Sequence, residues 1–340
     1  MAQPARNVSE VFSEDHAERV GALSVRVFGR PPRRVAFPGG TSRSAFIVDM
    51  GDGLWVFADR GEVVDAQQEG IVLRTLGQSG LVPKMKAVAD EWVVQEYIEG
   101  TRLPVVLDQT EDMGKREQLV SDALESLLHV QELAHQKSMQ HRMPKVGVAD
   151  KWLWNRTGAA KRISRKAGIR PPELDRQKLV DLMDVKRDEF VKWDARPGNA
   201  MVTENGTVWF DWEDCGRSKA LDDLGFVLCD EWTALDAESE TRLKNRFLPL
   251  YNKSMSYERA EHYLHLFGVT HCLLRLRMAQ KLRERDGAWW DRDYCLEGDK
   301  VGVTETETKR LVDRARRWAD GVAEWKPILP WLDDVAAKYH

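Results

Sequence analysis

An Asp, an Asn five positions later and a second Asp twelve beyond that, threaded through a short hairpin, restrict this chain more than any other feature. The stretch reads Trp193-Asp194-Ala195-Arg196-Pro197-Gly198-Asn199, then Ala200-Met201-Val202, a turn at Glu204-Asn205-Gly206, Val208-Trp209-Phe210 and Asp211. A hairpin at that turn returns Asp211 to the vicinity of Asn199, so a carboxylate and an amide oxygen face one cation, Mg²⁺. Asp194 is then left to orient an attacking hydroxyl and accept its proton, the division of labour that phosphoryl transfer requires. Asp-x-x-x-x-Asn alone also describes a capped turn, since Asp and Asn cap helices and Pro-Gly starts turns. The hairpin, the second Asp and the sheet-like region upstream outweigh that reading.

At 340 residues the chain exceeds a typical single core, so two lobes are expected, each burying its own apolar interior. A net charge of -4 argues against a general partner role with nucleic acid or anionic membranes. The four cysteines show neither Cys-x-x-Cys nor Cys/His metal spacing and are sparse for a disulfide framework, which fits a reducing cytoplasm. No segment approaches the ~18 apolar residues of a membrane span, and the N-terminus lacks an export pattern. Most of the thirteen tryptophans are expected in the core.

Residues 7–29 read as a leading helix that packs on a first sheet. Strands follow at Arg34 to Phe37, Ser44 to Met50 and Leu54 to Ala58, with Gly39-Gly40-Thr41-Ser42 and Asp52-Gly53 as the turns. Residues 63–77 have helical spacing, and an extended stretch runs from Val82-Pro83 to Ile98. The first hundred residues are therefore a small sheet with one central helix. Beyond Gly100 helical patterns dominate, notably over 115–137 and in closing helices over 305–340. Residues 151–170 carry seven Lys or Arg and no acid; a solvated helix face or an insertion is the preferred reading over a clamp for an anionic substrate.

These motifs and their order resemble the aminoglycoside phosphotransferase and choline kinase branch of the protein-kinase-like fold, over residues ~35 to ~280. The resemblance implies an α+β, bilobal architecture. Its N-terminal nucleotide-binding lobe, 1–100, has a small antiparallel sheet, a helix and a hinge at 95–100; its C-terminal lobe, 101–340, is larger and mostly helical. It implies an ATP- and Mg²⁺-dependent kinase acting on a hydroxyl of a small molecule. The family's His-Gly-Asp-x-x-x-x-Asn aligns with Lys192-Trp193-Asp194 through Asn199, which makes Asp194 the base and Asn199 and Asp211 the metal ligands. Asp223, in Leu221-Asp222-Asp223-Leu224, corresponds to the Asp that braces the catalytic loop. Gly39, Gly40, Thr41 and Ser42 correspond to the phosphate-covering turn, although an ordinary hairpin turn explains them almost as well. Glu69 resembles the helix Glu that pairs with a phosphate-binding lysine. In Gln95-Glu96-Tyr97-Ile98-Glu99-Gly100, Glu96 and Tyr97 are nearest to the adenine edge.

The chain departs from the family on its third strand, where Ala58 occupies the lysine position. Arg60 shares a strand face with Ala58 and is expected to reach the phosphates and Glu69 instead. Arg196, in the slot often filled by His, places positive charge near the transferred group. The missing lysine keeps two alternatives open, a nucleotide-binding relative without turnover and a transferase that modifies proteins. Trp212-Glu213-Asp214, Asp230-Glu231-Trp232 and Trp289-Trp290-Asp291 suit a cationic amine as acceptor, whereas the basic 151–170 segment suits an anion.

Overall fold

The computed structural model describes residues 14–36, 45–148 and 151–339. The Gly39-Gly40-Thr41-Ser42 turn and the start of the leading helix lie outside these residues. The chain divides into two compact units, Met1–Glu99 and Gly100–His340.

In the first unit, α1 (Glu14–Phe28) precedes β1 (Arg34–Ala36), β2 (Ala45–Asp49), β3 (Leu54–Asp59), α2 (Val63–Leu76), β4 (Met85–Ala89) and β5 (Trp92–Glu96). The strands form an antiparallel sheet ordered β1-β2-β3-β5-β4. Period-2 side chains put Phe46, Val48 and Phe57 on one face, where Val20 and Leu23 of α1 close a shared apolar core with Trp92 and Val94. Arg19 of α1 also bridges Asp59 (3.1 Å) and Glu91 (2.6 Å). Helix α2 approaches β4 closely because Gly70 has no side chain: a Cβ there would lie 2.4 Å from Val88 Cγ2. The stretch expected as one extended segment from Val82 to Ile98 is instead a hairpin. The chain reverses at Asp90, whose φ of 53° gives the turn without a glycine to announce it.

The second unit begins with β6 (Thr101–Arg102), α3 (Leu103–Gln109) and α4 (Met113–Gln136). Helices α5 (Trp152–Thr157), α6 (Ala159–Ala167) and α7 (Arg176–Met183) come next. Strands β7 (Glu189–Val191), β8 (Ala200–Thr203), β9 (Gly206–Trp209) and β10 (Gly216–Ser218) then lead to α8 (Ala220–Cys229). Helices α9 (Ala237–Tyr251), α10 (Tyr257–Asp286), α11 (Arg292–Glu297), α12 (Glu305–Ala319) and α13 (Ile328–Tyr339) complete it. All ten residues of α8 are buried, so this helix is a core element with polar residues serving internal contacts. The β8–β9 hairpin pairs Ala200 with Trp209 and Thr203 with Gly206, as its Asn-Gly turn signal requires. Helix α4 supports it from below: Trp209 Nε1 donates to the Ala123 carbonyl (3.2 Å) and Ser126 Oγ to that of Thr207 (2.6 Å). All four cysteines are free and buried. Among the described residues no helix is long and apolar enough to cross a membrane.

Candidate active site

The loop from Lys192 to Asn199 connects β7 to β8 and is held in an unusual shape. Trp193 and Asp194 have φ of 52° and 48°, and Asp211 beyond β9 has φ of 61°. Left-handed backbone at non-glycine residues costs about 1–3 kcal/mol each and persists only where the surroundings impose it. Asp223, fully buried in the first turn of α8, provides the constraint. Its Oδ2 accepts from the Lys192 amide (2.8 Å) and Gln131 Nε2 (2.8 Å), and its Oδ1 accepts from the Trp193 amide (2.9 Å). Burial pushes the Asp223 carboxyl up to about 7, against the pull of these donors.

Lys192 is itself fully buried, and its Nζ donates to the Asp211 carbonyl (2.6 Å). That bond ties the start of the loop to the far end of the hairpin. Asn199 closes the loop from the other side: its Nδ2 donates to the Asp194 carbonyl (3.0 Å) and to Asp194 Oδ2 (3.1 Å). The Asn199 carbonyl accepts from the Phe210 amide (3.1 Å), which places Asn199 beside the residue preceding Asp211. With its NH₂ turned to Asp194, Asn199 offers Oδ1 as a hard oxygen donor. Asn199 and Asp211 each carry a hard oxygen of the kind Mg²⁺ prefers. Among the described residues no group of three or more His, Cys, Asp or Glu could hold a metal by itself.

Arg196 grips Asp194 with both ends of its fork, Nε to Oδ1 (2.9 Å) and Nη2 to Oδ2 (3.2 Å). Burial raises the Asp194 pKa, but the charge and hydrogen bonds of Arg196, with Lys192 and Arg275 behind it, hold the carboxyl below its ordinary value. Gly198 admits another carboxylate: a Cβ at this position would lie 1.8 Å from Asp299 Oδ1. Asp299 also pairs with Arg102 (3.7 Å).

In the first unit, Ala58 is buried in β3 opposite Val93. Arg60, just past the strand, makes a two-pronged pair with Glu69 of α2, Nε to Oε2 (2.5 Å) and Nη2 to Oε1 (2.9 Å). Both side chains are nearly inaccessible, 6% and 0% exposed, so the pair is shielded from solvent. The Glu96 amide donates to the Lys84 carbonyl (2.9 Å) and the Tyr97 amide to that of Leu54 (3.4 Å). Both amides are therefore engaged within the sheet.

Three contributors were not evident in the sequence. Lys192 stood where the motif has His, and nothing local marks it as a buried tie to Asp211. Asp299 reaches Gly198 from about a hundred residues away. Arg275 of α10 neutralises Glu231 from a distant helix, Nε to Oε2 (2.8 Å) and Nη2 to Oε1 (2.5 Å). Glu231 and Asp230 are fully buried, and Asp230 Oδ2 lies 3.7 Å from Arg275, so this acidic pair faces an internal cation. Trp212 and Trp232 are core residues, and Trp289 carries the Arg283 guanidinium over its ring at 3.8 Å.

The model of the phosphotransferase enzyme family (APH) matches residues 34–261. None of the curated proteins matches the chain. Among solved structures, amicoumacin kinase in complex with AMP-PNP, Ca²⁺ and Ami is 15% identical, with a TM-score of 0.56, covering 86% of this chain and 96% of that one. Choline kinase from Streptococcus pneumoniae is 14% identical (TM-score 0.52; 88% and 99% covered). The AMP-bound spectinomycin phosphotransferase is 16% identical (TM-score 0.52; 86% and 98% covered). At these identities the likeness establishes the fold, which is kinase-like and α+β.

Proposed function

The chain belongs to the phosphotransferase enzyme family, and from that premise we propose that it transfers the terminal phosphoryl group of ATP, with Mg²⁺, to a hydroxyl of a small molecule. The observation that carries this reading is the loop geometry around Asp194: a left-handed backbone fixed by Asp223, with Asn199 bonded to the carboxylate and Lys192 tying Asp211 alongside.

Asp194 is the general base. Its lowered pKa keeps it a carboxylate at neutral pH, ready to accept the hydroxyl proton as the oxygen attacks. Arg196 orients that carboxylate and adds a fixed positive charge beside the reacting group. Asn199 Oδ1 and the Asp211 carboxylate would hold the metal, which would neutralise the charge that develops on the phosphates. Arg60, braced by Glu69, takes the place of the absent lysine, and Glu96 and Tyr97 line the adenine edge.

The test is ADP release from Mg²⁺-ATP over a panel of hydroxyl-bearing acceptors. Choline, spectinomycin and amicoumacin come first because the relatives' activities name them, followed by neutral sugars and anionic alcohols. Acceptor-dependent ADP formation supports the reading. Nucleotide binding without turnover on any acceptor would favour a binding protein, the possibility that Ala58 motivates.

A further inference from the structure

The basic stretch 151–170 has no part in the chemistry above. It folds as α5 and α6, and α6, the loop after it and the start of α7 line a half-open pocket of about 270 Å³. Lys161, Arg162, Arg165 and Arg176 line it, together with Ile169 and Pro171. Among the described residues none of the four cations makes an ion pair, and the buried Nε atoms of Arg162 and Arg176 have no hydrogen-bond partner. Nearby acids are committed elsewhere: Glu173 to Arg170 (2.5 Å), Glu284 to Lys166 (3.5 Å), and Asp175 to the Lys178 amide (3.0 Å).

The guanidiniums are fixed in place. Arg176 stacks on the Trp154 ring at 3.8 Å and donates through Nη2 to the Trp154 carbonyl (2.5 Å), while Arg162 donates to the Asn155 carbonyl. Both converge over Gly158, where a Cβ would lie 2.8 Å from Arg176 Nη2 and 2.9 Å from Arg162 Nη1. Burial lowers the Arg162 pKa, and the neighbouring charges of Arg277, Arg176 and Arg165 lower it further, as expected where like charges gather without a counter-charge.

The remaining N–H groups of Arg162 and Arg176, with two further cations, suit the oxygens of phosphate, and four positive charges exceed what one carboxylate or one phosphate monoester neutralises. We propose that this pocket binds a pyrophosphate group, either free or carried on a nucleotide. The site is separate from the catalytic loop, although α5 links them: Trp152 packs on Trp193 with ring centroids 5.2 Å apart.

Calorimetric titration of the full chain with inorganic pyrophosphate tests this. Saturable binding is expected, weakened at least tenfold in the double variant Arg162→Gln/Arg176→Gln. The exposed pair Lys161→Gln/Arg165→Gln, which leaves Arg162 and Arg176 intact, is expected to weaken it several-fold and serves if the first variant does not fold. Displacement of pyrophosphate by ADP assigns the group to a nucleotide, and failure of ADP to displace it assigns the free anion. Absence of saturable binding, or unchanged affinity in both folded variants, overturns the proposal.

Discussion

The loop around Asp194 and the basic pocket lie on the same unit and treat charge in opposite ways. Around the loop the named charges meet partners within the protein: Arg196 on Asp194, Asp299 with Arg102, Arg275 on Glu231, and the Lys192 ammonium on the Asp211 carbonyl. In the pocket four cations meet no acid among the described residues. Internally compensated charge fixes geometry, as a site that must aim one carboxylate requires. Uncompensated charge leaves electrostatic free energy to be gained when an anion arrives.

If compensated charges act by positioning, the largest loss should come at Asp211, the proposed metal ligand. Asp211→Asn is expected to reduce turnover at least about a hundredfold and to weaken metal-dependent nucleotide binding, read by the thermal shift with and without Mg²⁺. Arg60→Ala comes next. It strands the buried Glu69 carboxylate, so unfolding in urea should show a loss of about 3–5 kcal/mol. The paired change Arg60→Met/Glu69→Leu should recover most of that stability without recovering nucleotide affinity, which separates bracing from phosphate contact.

A smaller effect concerns pH. The Asp194 pKa is below its ordinary value in the folded state, so its contribution to stability is present above the unfolded pKa and lost as pH falls through the folded one. Arg196→Ala removes the largest of the charges that oppose burial, leaving Lys192 and Arg275, and should move the acid limb of the kcat profile upward, by roughly one unit for each ~1.4 kcal/mol of lost interaction. An unmoved limb would detach Arg196 from the base. The smallest effect has the opposite sign: Arg165→Gln removes an exposed, repelled cation and should leave stability within about 0.5 kcal/mol or raise it slightly, whereas removal of a compensated arginine destabilises.

The parts of the structure legible in the sequence are those whose causes are local. Alternation over Ala45–Asp49 and Leu54–Asp59, and the Asn205-Gly206 turn, locate the strands and the hairpin that brings Asp211 back to Asn199. Strand-face alternation also led from Ala58 to Arg60 as the cation able to reach Glu69, because that pair spans only nine residues. The β4–β5 reversal carries no sequence signal because Asp90 adopts the left-handed turn without glycine. The acids at 230 and 231 suggested a surface for a cationic ligand, yet their counter-charge is Arg275, 44 residues from Glu231 on another helix. Contacts such as Asp299 against Gly198 exist only once α11 and the loop after it have folded, and no spacing in the chain encodes them.

Asp194→Asn tests the central claim most directly, measured as acceptor-dependent ADP release alongside the Mg²⁺-nucleotide thermal shift. Asn keeps the shape and loses the proton acceptor, so turnover should fall by at least about a hundredfold while the shift is retained. Wild-type turnover in that variant would contradict the assignment of Asp194 as the base.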